Sequence, residues 1–362
     1  MNIKSFAVSI TALIVSFSFV ACAPKTIISE IEDETEVVVI GKEVVQEVIE
    51  EVKEEISIEG KAKSKLSGLY YDEEKLDRRP IVVMFDNHIA ARPQSGLSSA
   101  EVIYEILAEG SITRYMGVFY GENSDFVGPI RSARSYFIDK ALEYDGMYAH
   151  VGGSPGAFND LVRLSVADLD GLAGNGMYRS SKTNKKAPHN TYSSIEALRE
   201  SGLRKKYRSE AKFEFFDFYG EDSSIGGETC DYVKLTYKKS SNSDKVGYFT
   251  EYKYDEETKA YYRFVNGNNH IDNNNGEKLM AKNIIIQFAS HRVIDNEGRL
   301  DVKTVGSGTG YLISNGEKKS VTWEKSDRRD KTSFYDSDGN EITLNSGVTW
   351  FQVISDQSKI GW

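Results

Sequence analysis

The sequence predicts a mixed α+β protein: an N-terminal α/β layer domain with a mixed sheet, followed by an antiparallel β-rich C-terminal domain. Two observations predict it. Strand-like and helix-like segments alternate from Ile81 to about Arg204, the pattern of a layered α/β unit. From about Glu228 the chain turns to aromatic and β-branched runs, broken by Asn315-Gly316 and Asp338-Gly339, pairs that tolerate the positive φ of tight hairpins.

The first element is a secretory signal over residues 1–21. Lys4 supplies its positive end, Phe6 to Val20 its apolar run, and Phe19-Val20-Ala21-Cys22 its exit. A small residue before the cysteine suits signal-peptidase cleavage, and a free thiol suits diacylglycerol attachment, so Cys22 is the expected lipidation site. A plain signal peptide or an uncleaved anchor is the alternative. Residues 22–66 mix acids with valine and isoleucine, have few aromatics, and read as a largely disordered acidic tether.

The α/β domain is expected over residues 67–212. Ile81 to Phe85 is a continuous apolar run suited to a buried strand. Ser98 and Glu101 have capping-box spacing, and Ala100, Ile103, Tyr104 and Leu107 form a helical stripe ending at Gly110. Ile112 to Tyr120 alternates as a strand. Residues 132–145 read as a helix, Tyr148 to Val151 as a short strand, and Pro155 as the first turn of another helix. A second capping box, Ser193 with Glu196, precedes a helix through Arg204. The β-rich domain, residues 225–362, is marked by Tyr232 to Tyr237, Tyr261 to Phe264 and Ile284 to Phe288.

Charge excludes one class of partner. The net charge is -10, but residues 23–60 hold twelve acids against three lysines. The remainder is almost neutral, so no polybasic nucleic-acid surface is expected. Cysteine usage excludes a disulfide framework: Cys22 ends the signal, and Cys230 stands alone in the rest. With no CxxC pair or close Cys/His cluster, no metal or cofactor is expected.

Polar residues of catalytic type crowd the loops of the α/β domain. Asp86, Asn87, His88 and Arg92 follow the first strand; Arg114, Arg131, Ser132 and Arg134, His150 and Ser154, and His189 and Asn190 fall at later strand ends or loops. Ligands of open α/β sheets bind at such loops. In Gly128-Pro-Ile-Arg-Ser-Ala-Arg134, a Ser132 cap would set two guanidinium groups at a helix start, where an anion would relieve the conflict with the macrodipole. Alternatively, Arg131 and Arg134 pair with Asp86, Asp139 or Glu105. Glu105 is a candidate general acid together with His88 and His189, although on the expected helix Glu101, Glu105 and Glu109 would share a solvated face. Ser154 lacks the surrounding pattern of a nucleophile elbow, and Cys230 has no visible activating base.

Several segments resemble the YerB-like family of bacterial lipoproteins. In the first half these are Met84 to His88, Ala91 to Gly96, Gly110 to Arg114, Gly128 to Arg134, Gly152 to Pro155 and Pro188 to Tyr192. In the second they are Tyr262 to Phe264, Asn283 to Ile286, Gly308 to Gly316 and Gly347 to Trp350. The resemblance implies a lipoprotein on the extracytoplasmic face of the cell membrane; it brings no established reaction. The expected function is therefore a membrane-anchored lipoprotein that binds, and in a stronger version cleaves or modifies, an anionic cell-wall glycan or related carboxylate or phosphate ligand. The alternative is a non-enzymatic protein-interaction lipoprotein supporting envelope assembly.

Overall fold

The run from Ile81 to Asp86 (β1) is buried along its whole length, and its alternation feeds two cores at once. Val82 and Met84 enter one hydrophobic cluster; Ile81, Val83 and Phe85 enter another. A strand covered on both faces reads as continuously apolar for this reason. A computed structural model of the chain describes residues 58–109, 112–238, 247–356 and 359–362. The signal, Cys22 and most of the acidic tether lie outside the described residues.

After β1 come Val102–Leu107 (β2), Thr113–Phe119 (β3), Ser135–Leu142 (α1), Met147–His150 (β4), Pro155–Arg163 (α2), Asp168–Asp170 (β5) and Ile195–Arg204 (α3). The second half adds Tyr232–Lys238 (β6), Tyr248–Asp255 (β7), Ala260–Val265 (β8), Asn283–Phe288 (β9), Gly306–Ser314 (β10), Glu317–Lys325 (β11) and Thr349–Ile354 (β12).

Strands of both halves share one mixed sheet of eleven strands. Its order is Glu228–Thr229, β11, β10, β9, β12, β2, β3, β1, β4, β5, with Ser333–Tyr335 beside β11. The join is made by β12, which runs parallel to β9 on one side and to β2 on the other, so that Trp350 stands opposite both Ile284 and Ile103. A second sheet of six strands, antiparallel throughout, is built on β6, β7 and β8.

The large sheet is the middle layer. Phe137, Ile138 and Ala141 of α1 and Ala157 and Leu161 of α2 pack on one face. On the other, Ile195 and Leu198 of α3 share a core with Val233, Leu235, Tyr252 and Tyr261 of the second sheet. Each face thus buries the stripe that an isolated layer would expose.

Four local expectations are corrected. Residues 102–107 are a strand, not a helix: Val102, Tyr104 and Ile106 face one core while Ile103 and Leu107 face the other. Ser98 and Glu101 form no capping box. The Ser98 N–H and hydroxyl donate to Asp272, and Glu101 accepts from the Ser64 and Ser67 hydroxyls and from the Gly121 N–H. Helix α1 starts at Ser135 with Arg134 in the cap position, so Ser132 is not its cap. Helix α3 is capped by Ser194, whose hydroxyl accepts the Ala197 N–H; the Ser193 hydroxyl donates instead to the Gly176 carbonyl. Before residue 67, Lys61–Lys63 pairs with Tyr70–Asp72, and Leu66 is buried in the first core.

Candidate functional site

Strand β1 ends at Asp86, and the chain leaves the sheet there. The Asp86 carboxylate is 3% exposed and fully engaged. Its Oδ1 accepts the His88 N–H at 2.9 Å, while Oδ2 lies 2.7 Å from His189 Nδ1 and 3.4 Å from Arg131 Nε. The His88 and His189 rings stack with centroids 4.6 Å apart. Four of the sequence-predicted residues, separated by up to about a hundred positions, therefore meet at one strand end. Burial and the neighbouring His189 hold the His88 imidazole below its ordinary pKa.

His189 opens onto a cleft of about 610 Å³. Its cationic wall is made by Arg92, Lys182, Lys185 and Lys186. Among the described residues, none of these four has a carboxylate partner. Arg92 is steered by neutral groups: its Nε donates to Asn87 Oδ1 at 2.8 Å, its NH2 group donates to the Asn87 carbonyl, and its guanidinium lies over the Tyr248 ring. The Lys185 ammonium donates to the Pro93 carbonyl and to the Tyr192 hydroxyl, and burial pushes its pKa down to about 8. Arg92 and Lys185 are half-buried without a counter-charge while Lys182 and Lys186 are exposed, and such a cluster of uncompensated cations favours an incoming anion.

The other two predicted arginines do not join this wall. Arg114 and Arg134 both bond Glu109, Arg134 at 2.6 Å from its Oε1. Burial opposes ionisation of that carboxyl, yet the two guanidinium groups hold it down at about 2. Arg114, the more buried of the pair, is lowered to about 10 by desolvation and by the adjacent Arg134. Its NH1 group also donates to the Ser132 carbonyl at 2.8 Å, fixing the turn that carries Arg131.

Glu105 lies between the layers and not on a solvated face. It is fully buried; its Oε1 accepts the Thr113 hydroxyl at 2.7 Å and the Tyr248 hydroxyl at 2.5 Å, and its Oε2 meets Arg263 at 2.5 Å. Arg263 bonds His270, whose Nε2 is 3.1 Å from the Gln94 amide oxygen. Gln94 and Asn87 complete a polar chain from this core to Arg92. So enclosed, the carboxylate makes a buried, hydrogen-bonded ion pair that ties β2 to β8.

The remaining candidates hold local structure. His150 is fully buried on β4, with Nε2 at 2.5 Å from Asp168 Oδ1 and Nδ1 at 2.8 Å from the Gly152 carbonyl. The Ser154 hydroxyl caps α2 by accepting the Ala157 N–H. Asn190 accepts from Arg179. Cys230 is buried beside the Tyr232 carbonyl, and burial pushes its thiol up to about 11, the opposite of nucleophile activation.

Sequence reasoning missed Lys182, Lys185 and Lys186. Their signal was a lysine run in Lys182-Thr-Asn-Lys-Lys186, immediately before the Pro188-His189 segment. It also missed Arg263 and His270, which no local pattern ties to Glu105.

Two family models match the chain in tandem. Residues 66–208 match the N-terminal domain, and residues 235–351 the C-terminal domain, of a family described as protein of unknown function (DUF3048). A relative from Bacillus subtilis (strain 168), named "putative lipoprotein YerB", is 32% identical over 296 residues, spanning 82% of this chain and 87% of its own. The crystal structure of the Bacillus subtilis YerB protein matches with a TM-score of 0.74 at 31% identity, covering 83% of this chain and 99% of that one.

Proposed function

Because the chain belongs to the YerB-like family, whose two parts are the DUF3048 N- and C-terminal domains, we propose that it is a lipoprotein held on the extracytoplasmic face of the cell membrane through Cys22. In this reading its body binds an anionic ligand, a phosphate or carboxylate borne by the cell wall, in the cleft beside His189. The relative's name and the Ala21-Cys22 junction support the anchor. Among the described residues no helix is long and apolar enough to cross a membrane.

One observation carries the ligand class: Arg92, Lys182, Lys185 and Lys186 line a single cleft and have no carboxylate to neutralise them among the described residues. Outside the acidic tether the chain is nearly neutral, so four such cations in one place are a local charge asymmetry, not a property of the whole surface. Arg131 shares the Asp86 carboxylate with His189, which lines the cleft.

Two measurements test the reading. The full chain, purified in mild detergent, is expected to bind inorganic phosphate in a calorimetric titration, and Lys185→Met with Lys186→Met is expected to weaken binding by about tenfold or more, the equivalent of losing one charge-assisted hydrogen bond. Equal affinity in the variant removes the cleft as the site. Cys22→Ala is expected to move the protein from the membrane pellet to the soluble fraction; retention in the pellet removes the anchor.

A further inference from the structure

The hydrogen bonds around the stacked histidines give the two rings opposite tautomers. His189 Nδ1 lies 2.7 Å from Asp86 Oδ2. A carboxylate oxygen accepts here, so Nδ1 carries the hydrogen, and in the neutral imidazole Nε2 then keeps the lone pair. His88 is reversed: its Nδ1 accepts the Ala90 backbone N–H at 3.2 Å, which places its own hydrogen on Nε2. Neither Nε2 has a protein partner among the described residues. The rings stack 4.6 Å apart with planes 11° from parallel, so the pair carries one basic nitrogen and one N–H donor.

The support behind the base is built. Asp86 is 3% exposed and cannot swing away, because its other oxygen holds the His88 N–H and Arg131 flanks the shared one. A buried carboxylate that fixes one imidazole tautomer and stabilises the imidazolium is the orienting half of many hydrolytic sites. Burial and the neighbouring His189 lower the His88 pKa and so favour its neutral ring, in which the Ala90 contact fixes the hydrogen on Nε2.

We infer that the cleft hydrolyses phosphodiesters, with His189 as the general base and His88 as a donor to the phosphoryl group; this rests on the anion-binding reading above. Water attacks phosphorus: a bond forms from the water oxygen to phosphorus as the bond from phosphorus to the leaving alkoxide breaks. One water proton passes to His189 Nε2, and Asp86 stabilises the resulting imidazolium. The His88 Nε2–H and the cleft cations hold the non-bridging oxygens, where charge gathers. The alkoxide takes a proton from solvent and His189 returns one to it, so that one water is consumed and an alcohol and a phosphomonoester are released. Phosphorus is the reacting centre because a phosphodiester stays anionic across the working pH range and so suits the cationic wall, whereas a carboxylic ester is neutral.

The test uses the full chain in mild detergent with bis(4-nitrophenyl) phosphate. Nitrophenolate release above the buffer rate is expected. His189→Ala is expected to lower kcat by about 100-fold or more, the usual weight of a general base, while affinity for inorganic phosphate changes by less than about threefold because the lysines and Arg92 remain. His88→Gln, which keeps an N–H donor, is expected to retain more activity than His88→Ala. Asp86→Asn is expected to lower kcat with little change in KM. Phosphate binding without any nitrophenolate release overturns this inference alone, as does a His189→Ala rate equal to that of the unmodified chain. Absence of phosphate binding overturns the anion-binding reading and this inference with it.

Discussion

Glu105 and Arg263, 158 positions apart in sequence, meet at 2.5 Å with no exposed surface on either side chain. Their ion pair joins strand β2 of the large sheet to strand β8 of the small one, and Thr113, Tyr248 and His270 satisfy much of what remains. Removing one partner leaves the other charge buried and uncompensated. Glu105→Gln is therefore expected to lower the unfolding free energy by about 3 kcal/mol or more. Replacing both, as Glu105→Leu with Arg263→Met, is expected to recover part of that loss. Urea unfolding followed by tryptophan fluorescence measures both, and a double variant weaker than the sum of the single ones contradicts the pairing.

Glu109 sets an acid limit. Its folded carboxyl is held at about 2, below an ordinary value near 4.5, by Arg114 and Arg134 acting against burial. A depressed carboxylate contributes stability that is fully present above the ordinary value and is lost as pH falls through the folded one. The thermal midpoint should thus drop between about pH 4.5 and about pH 2. Glu109→Gln should be less stable at neutral pH and show a shallower drop across that window; parallel curves for the two proteins would exclude this origin.

Lys185 sets an alkaline limit on the ligand. Its ammonium loses its proton near pH 8, because burial in the cleft disfavours the charge. Sulfate keeps a constant charge in this range and is the cleaner probe. Sulfate affinity should fall as pH rises through about 8, and Lys185→Met should remove that step while lowering affinity at pH 7. A step that persists in the variant would assign the titration to another group.

Ser154 separates capping from catalysis. Its hydroxyl accepts the Ala157 N–H at the start of α2. Ser154→Ala should cost about 1 kcal/mol of stability, the usual worth of such a cap, and leave phosphate affinity unchanged. A large loss of affinity with intact stability would restore Ser154 to the site.

The sequence carried much of the architecture, and the failures have identifiable causes. The aromatic and β-branched runs from Tyr232, Tyr261 and Ile284 are strands, as their composition indicates. Val102 to Leu107 misleads because both faces are buried: with apolar residues at nearly every position, the same letters fit a helical stripe and an alternating strand. The period error propagates to Glu105, which a helix would solvate and the strand instead buries. Asp86, His88, Arg131 and His189 were legible as loop residues of catalytic type. Their convergence was not, since it depends on β1, the turn after residue 128 and the segment before α3 coming together in space. The cationic wall was written in Lys182 to Lys186, but a lysine run has the same appearance on a solvated loop as in a cleft.

The place of β12 has a consequence for how the molecule is completed. Until residues 349–354 arrive, β2 and β9 are both open edges, and the core on each face of the sheet lacks Trp350 or Phe351. A chain that emerges amino end first thus keeps its two halves unsealed until nearly its whole length is available, since contacts so far apart in sequence form only after the long loop between them can close. The last long strand acts as a keystone: truncation before residue 349 would not shorten the protein by one strand but would divide its central sheet in two.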